Sequence, residues 1–192
     1  SALEDLIEAL GDNIRAINEP AHVQCGAPDL AVWRGDFIIG HIEAKDIDVP
    51  LDREERDEQL QRYRHALENL ILTDYLEFRW YVKGEIRQSV RIGRVDSRGN
   101  IQVISDNRDS LTDLLADFLA HQPQPISNPR ELAERMARLT HLIRDAIVSA
   151  FEGGTASDTL TGWRQAFASV LIPDLDQPEN LGQFADMFAQ TF

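Results

Sequence analysis

Residues 26–48 read GAPDLAVWRGDFIIGHIEAKDID, and this segment sets the architecture of the chain. Residues 30–33 and 37–44 are short apolar runs, rich in the β-branched and aromatic side chains that strands favour. Between them stand Arg34, Gly35 and Asp36, which form a turn signal because glycine tolerates positive φ and aspartate bonds its own backbone. The segment therefore predicts an antiparallel hairpin folded at Gly35.

The predicted hairpin would bring three polar side chains together. Side chains alternate between the faces of a strand, so one face is expected to carry Phe37, Ile39, His41, Glu43 and Lys45, and the other Ile38, Gly40, Ile42 and Ala44. A fold at Gly35 puts Asp29 across from Glu43 at the open end of the hairpin. Opposed like charges destabilise a strand pair, and a hard divalent cation such as Mg²⁺ would remove that cost. Lys45 could then orient or deprotonate a water.

The same residues carry a family resemblance. Pro28-Asp29, followed after a turn and a strand by Glu43-Ala44-Lys45, resembles the motif of the PD-(D/E)xK nuclease superfamily. The resemblance implies an α/β fold with a restriction-endonuclease-like core, which is a mixed sheet flanked by helices. It also implies that Asp29, Glu43 and the backbone carbonyl of Ala44 bind Mg²⁺, with Mn²⁺ as a substitute, and that Lys45 serves phosphodiester hydrolysis.

A helix before the hairpin offers a further acidic candidate. The apolar spacing in residues 3–17 predicts an amphipathic helix. In PD-(D/E)xK nucleases the first helix often carries an extra acidic residue near the metal, which makes Glu8 a candidate ligand, with Glu4 behind it. The alternative is that Glu8 belongs to an ordinary solvated helix face.

A helix after the hairpin offers two more candidates. Helical periodicity predicts a helix over residues 52–70, with Asp52 as its N-cap. Residues 69–78 are then expected to hold the helix end, a turn and the start of a strand. Gln59 and Tyr63 stand at i, i+4 on one helix face. The pair resembles a motif of the exonuclease-like branch of the superfamily, in which the Gln supports the active site and the Tyr contacts the nucleic acid.

The charge of the chain is unevenly distributed. A formal net charge of −14 argues against a general nucleic-acid binder, although the distribution of charge matters more than the sum. A hairpin turn at Lys83-Gly84 predicts a strand over residues 85–95. In a locally basic part of the sequence, this strand would carry Arg87 and Arg91 on one face, where they could contact DNA phosphates. The alternative is an edge strand protected by charge.

The C-terminal part of the sequence is predicted to be a linker followed by helices only. Residues 122–129, QPQPISNP, form the clearest linker, because three prolines in eight residues end regular structure. We therefore predict a nuclease-like domain over 1–121, a linker over 122–129 and an all-α connector over 130–192. The connector would hold helices at 130–151, 159–171 and 180–192. The last helix reaches the final residue without a cap, which predicts a cut inside a larger protein.

Two further segments extend the resemblance. Residues 182–192, GQFADMFAQTF, resemble the entry to the adenine-methyltransferase part of single-chain, type IIG-like restriction–modification enzymes, and residues 68–80, ENLILTDYLEFRW, resemble the same subfamily. The resemblance implies a full-length protein that acts on double-stranded DNA and also carries methyltransferase and target-recognition parts, with dimerisation on DNA as a family-level expectation. The alternatives are a catalytically inactive domain that docks DNA or positions the methyltransferase, and a scaffold in which the motif is coincidental.

Several other classes of protein are excluded or disfavoured. One cysteine, Cys25, allows neither an internal disulfide nor a cysteine zinc cluster, and it suits a reducing cytoplasm. No apolar run has the length of a membrane span and no signal peptide is visible, so we expect a cytoplasmic protein with no membrane partner. The sequence has neither a phosphate-cradling loop for ATP nor a glycine-rich cofactor loop, so these residues would not carry out methyl transfer themselves.

Overall fold

The computed structural model describes residues 1–18, 28–122 and 128–191. These residues fall into two compact units, the first built from 1–18 and 28–122 and the second from 128–191. The middle of the predicted linker, residues 123–127, and residues 19–27, which precede the hairpin, lie outside the described residues. Within the described residues, no helix is both long enough and apolar enough to cross a membrane.

The first unit is a mixed sheet flanked by helices, which confirms the predicted fold class. Six strands follow one another in chain order across the sheet, and only the third and fourth are parallel. The strands are β1 (Ile14–Asn18), β2 (Leu30–Arg34), β3 (Phe37–Ala44), β4 (Asn69–Thr73), β5 (Glu77–Val82) and β6 (Glu85–Arg91). The helices are α1 (Ala2–Glu8), α2 (Leu51–Glu54), α3 (Glu58–Ala66) and α4 (Arg108–Ala120).

One face of the sheet holds the main apolar core. Fully or almost fully buried side chains from α1 and α4 pack there against side chains from all six strands. The helices contribute Leu3, Ile7, Leu114, Leu115, Phe118 and Leu119. This core fixes β3 between β2 and β4, and β3 is the strand that carries the predicted site.

The predicted hairpin is confirmed. Strands β2 and β3 pair antiparallel around Gly35, which has a φ of 58°, and β3 covers residues 37–44 as predicted. The predicted alternation is wrong at Ile39. Val32 pairs with Gly40 but Trp33 pairs with Ile38, so a β-bulge leaves Ile39 without a partner on β2. Ile39 therefore joins the apolar cluster that contains Ile42 rather than the face of Glu43.

The first predicted helix is wrong beyond Glu8. Helix α1 ends there, and residues 14–18 form β1, which pairs with β2. Gly11 and Asn13, the latter with a φ of 59°, lie in the turn between them. Glycine and asparagine favour such turns, and the apolar residues beyond them fit a strand as well as a helix.

The second predicted helix is divided into three elements. Helix α2 has Pro50 as its N-cap rather than Asp52, and α3 is capped by Asp57, whose carboxylate accepts a hydrogen bond of 2.9 Å from the Gln59 amide. Residues 69–73, expected at the helix end, form the buried strand β4 instead. A short apolar run does not by itself distinguish a buried strand from a helix, and here parallel pairing with β3 decides the outcome.

The remaining elements follow the prediction more closely. The turn at Lys83-Gly84 has φ values of 52° and 81° and joins β5 to β6 as expected. The returning strand ends at Arg91, and the short strands β7 (Gly93–Val95) and β8 (Ile101–Val103) form a separate sheet. In the second unit, the described residues form α5 (Pro129–Glu152), α6 (Asp158–Val170) and α7 (Leu181–Thr191), which pack around Phe184. The predicted helical C-terminal part is therefore confirmed.

Candidate active site

The open end of the β2–β3 hairpin brings Asp29 next to the end of β3. Leu30 pairs with Ile42, so Asp29 stands level with Glu43 at the next position of the ladder. The Asp29 carboxylate Oδ2 accepts a hydrogen bond of 2.7 Å from the backbone N–H of Ala44. This bond ties the residue before β2 to the last residue of β3, and it turns the Asp29 carboxylate towards the strand that carries Glu43.

Glu43 and Lys45 meet on the same side of β3. The Lys45 ammonium donates a hydrogen bond of 2.9 Å to Glu43 Oε1. Beyond the end of β3, the backbone N–H of Lys45 donates to the Thr73 carbonyl at 2.7 Å, which extends the parallel pairing with β4. Lys45 therefore keeps an extended backbone, and the spacing of two residues places both side chains together.

The second oxygen of Glu43 is the most unusual atom of this cluster. Glu43 is only 4% exposed, and its Oε2 has no hydrogen-bond partner in the described part of the chain. Burial raises the pKa of Glu43 and the nearby Asp29 carboxylate adds to that rise, whereas the hydrogen bond from Lys45 and, more weakly, the Asp29 backbone N–H oppose it. A buried carboxylate oxygen that lacks a partner is costly, so the arrangement favours a cation at this point.

A third carboxylate, which the sequence analysis did not identify, also reaches the site. Glu54 Oε2 of α2 lies 3.6 Å from the Lys45 ammonium. Burial alone would lower the pKa of Lys45, but the hydrogen bond and charge of Glu43, together with the charge of Glu54, raise it overall. Lys45 is therefore an ammonium at neutral pH. Nothing in the sequence pattern marks Glu54 as a site residue, because an acidic residue in the first turn of a helix has an ordinary explanation in the helix dipole.

The acidic residues of α1 are engaged elsewhere. Glu8 Oε1 accepts a hydrogen bond of 3.0 Å from the backbone N–H of Ala16 in β1, and Glu4 closes a capping box with Ser1. No group of three or more His, Cys, Asp or Glu side chains within residues 1–18, 28–122 and 128–191 is placed to hold a metal ion. Whether Glu8 joins a metal site stays a prediction, as do the roles of Asp29 and Glu43 as ligands.

Gln59 and Tyr63 lie together on α3, as the spacing predicts. Gln59 Nε2 donates a hydrogen bond of 2.7 Å to the Tyr63 hydroxyl. Burial raises the pKa of Tyr63, and the Glu43 and Asp29 carboxylates act in the same direction, which puts the phenol within their field. Tyr63 is fully buried. Its role as a DNA contact stays a prediction.

The predicted basic face is partly neutralised by acids. Arg79 is held by Asp52, Glu55 and Glu77 at 2.7, 2.8 and 2.6 Å, and Arg91 contacts the buried Glu77 as well. Arg87 differs, because it is exposed and makes no ion pair within the described residues. A register shift between Trp80 and Tyr81 leaves Arg87 without a partner on β5. Of the two arginines predicted to contact DNA, Arg87 is therefore the one without an ion pair in the described part of the chain.

No family model matches the chain, and no curated protein matches it. Among solved structures, a cryo-EM structure of a DrdV–DNA complex is similar to this chain, with 20% sequence identity and a TM-score of 0.47. The similarity covers 95% of this chain but only 18% of that one, so this chain spans about a fifth of that chain's length. A likeness of this degree carries no argument about function.

Proposed function

We propose that the first unit is a Mg²⁺-dependent endonuclease domain that hydrolyses phosphodiester bonds of double-stranded DNA. One observation carries the proposal. Asp29, Glu43 and Lys45 converge at the open end of the hairpin, where Glu43 is buried and its Oε2 lacks a partner in the described part of the chain. Such an atom in a native protein calls for an explanation, and an ion is one of the ordinary ones.

The charges of the cluster fit a divalent cation. The carboxylates of Glu43 and Glu54 contact one ammonium, that of Lys45, and the Asp29 carboxylate acts on it as well, so the formal charge of the cluster is −2. Asp29, Glu43 and the backbone carbonyl of Ala44 would hold the ion. When bound, Mg²⁺ would supply Lewis-acid stabilisation of the charge that develops on the phosphate.

The chain's own side chains have separate roles in this proposal. Lys45 orients the attacking water and adds positive charge beside the phosphate, where charge develops in the transition state. Gln59 supports the site through the Tyr63 hydroxyl. Arg87, exposed on β6, contacts the DNA backbone. In a larger protein the helical unit would connect this domain to an adenine-specific methyltransferase and a target-recognition part, as the sequence resemblance implies, and two copies would meet on DNA.

Cleavage of plasmid DNA in the presence of Mg²⁺ tests the proposal. Asp29→Asn, Glu43→Gln and Lys45→Met should each lower the rate by at least about a hundredfold, since each removes a charge that acts on the reacting groups. The two amide variants retain an oxygen that can accept the hydrogen bonds of Asp29 and Glu43, so folding should persist. Glu58→Gln is the matched control, because Glu58 is exposed and makes no ion pair within the described residues. Cleavage by Lys45→Met at the parental rate would remove Lys45 from the mechanism.

A catalytically inactive docking domain is the second candidate. It is favoured by the net charge of −14 and by the ion pairs of Arg79 and Arg91 with acids, which suit a domain that positions the methyltransferase better than one that cuts DNA itself. Calorimetry with Mn²⁺ separates the two candidates. The nuclease proposal expects binding that Asp29→Asn abolishes, whereas the docking domain would bind DNA without a cation and would show no Mn²⁺ binding at all.

A further inference from the structure

The Lys45 ammonium is shared between carboxylates on two different elements. It donates to Glu43 Oε1 of β3 at 2.9 Å and lies 3.6 Å from Glu54 Oε2 of α2. The side chains of Lys45 and Glu54 are each 23% exposed, so water screens this pair less than an ordinary surface ion pair. Glu54 is therefore an electrostatic partner of Lys45 that the three-residue motif does not include.

The position of Glu54 is fixed by its neighbours in the chain. Leu51, at the start of α2, is 3% exposed and anchors the helix in the core. Glu55 follows Glu54 directly and is held by Arg79 at 2.8 Å and by the Tyr81 hydroxyl of β5. Since both sides of Glu54 are anchored, its carboxylate is held on the side of Lys45 by the fold rather than by Lys45 alone.

A cation at the acidic pair would change the surroundings of Lys45. Glu43 would then direct its charge to the cation, and the Lys45 ammonium would face a like charge. Within the described residues, Glu54 is the other carboxylate in contact with that ammonium. We propose that Glu54 is a positioning residue, which keeps the Lys45 ammonium beside the acidic pair when a divalent cation binds there. This inference rests on the proposed metal-dependent function.

A double-mutant cycle on Mg²⁺ binding, measured by calorimetry with the 192-residue chain, tests the inference. Without Glu54, Lys45 binds Glu43 alone and competes more strongly with the cation. We expect Glu54→Gln to weaken Mg²⁺ binding about four-fold in the parent but less than two-fold in a Lys45→Met background. Glu58→Gln, which removes an exposed acid from the neighbouring helix, should leave binding unchanged in both backgrounds.

The outcomes distinguish the inference from the proposed function. An equal loss in both backgrounds would mean that Glu54 acts on the cation directly, and no loss in the parent would mean that it does not act; either result overturns the inference. Glu54→Asp keeps the charge on a shorter side chain, and we expect its effect on Mg²⁺ binding to depend on Lys45 in the same way. If the parent chain binds no Mg²⁺, the proposed function fails together with the inference. If the parent binds Mg²⁺ and cleaves DNA while Glu54→Gln behaves like the parent, only the inference fails.

Discussion

Replacement of Gly40 by alanine should strain the strand that carries the site. An added Cβ would lie 2.6 Å from Cε2 and Cζ of Phe118 and 2.8 Å from Nδ2 of Asn69. Neither neighbour can retreat easily, because Phe118 is fully buried and the Asn69 amide is bonded to the carbonyls of Ile39 and Phe118. Overpacking of this kind costs up to about 3 kcal/mol, and alanine recovers about 0.5–1 kcal/mol over glycine in a strand. The expected net loss is about 2 kcal/mol.

Urea unfolding followed by tryptophan fluorescence measures this loss. Trp163→Phe removes the tryptophan of the second unit, so that Trp33 and Trp80 report on the first. With a slope near 1.5 kcal/mol per M, the midpoint should fall by about 1.3 M. Phe118→Leu, which relieves the clash, should cost less in the Gly40→Ala background than in the parent. If Gly40→Ala lies within about 0.5 kcal/mol of the parent, the close packing of α4 against β3 is refuted.

Three further predictions concern individual side chains. Burial raises the pKa of Glu43, so the folded state binds the proton of this carboxyl group more tightly than the unfolded state does. The free energy of unfolding should therefore decline as the pH rises from about 4.5 through the pKa of Glu43 in the folded state. Urea unfolding at a series of pH values should show a shallower decline for Glu43→Gln. Asp57→Ala removes the cap of α3 and should cost about 1 kcal/mol in the same assay, whereas Asp57→Asn should cost far less. Glu77→Gln leaves Arg79 and Arg91 with a neutral partner at this buried position and should lower the free energy of unfolding by about 2–3 kcal/mol. A loss below about 0.5 kcal/mol would contradict a stabilising role for the ion pairs of Glu77 with these two arginines.

The elements that could be predicted are those whose structure is set by residues close together in the sequence. The β2–β3 hairpin depends on Gly35, and the β5–β6 hairpin depends on the Lys83-Gly84 turn, so a local pattern was sufficient for both. The strand β4 could not be predicted in this way. It is buried between β3 and β5, and its parallel partner β3 lies far away in the sequence, so pairing across the sheet overrides the helical periodicity that precedes it.

The residues of the candidate site fall into the same two groups, those brought together by local sequence and those brought together by packing between distant elements. Asp29, Glu43 and Lys45 come together through a single hairpin, whose register follows from its turn. Glu54 reaches Lys45 only because Pro50 starts α2 where it does and the buried Leu51 holds the helix against the sheet. The burial of Tyr63 and the pairing of Arg91 with Glu77 also depend on packing between distant elements. The charge pattern of the sequence therefore predicted a larger basic surface than the described residues form.

A comparison of two buried polar residues on adjacent strands explains why Glu43 is assigned a function. Asn69 of β4 is 3% exposed and fully engaged, since its amide donates to two carbonyls and its oxygen accepts from the Trp80 indole at 2.7 Å. Glu43 of β3 is 4% exposed, yet its Oε2 has no partner within the described residues. The fold can thus satisfy a buried polar side chain on β4, whereas Glu43 Oε2 on the adjacent strand lacks a partner within the described residues. An unsatisfied buried carboxylate oxygen lowers stability without a structural gain, and the proposed cation would supply the partner that Oε2 lacks.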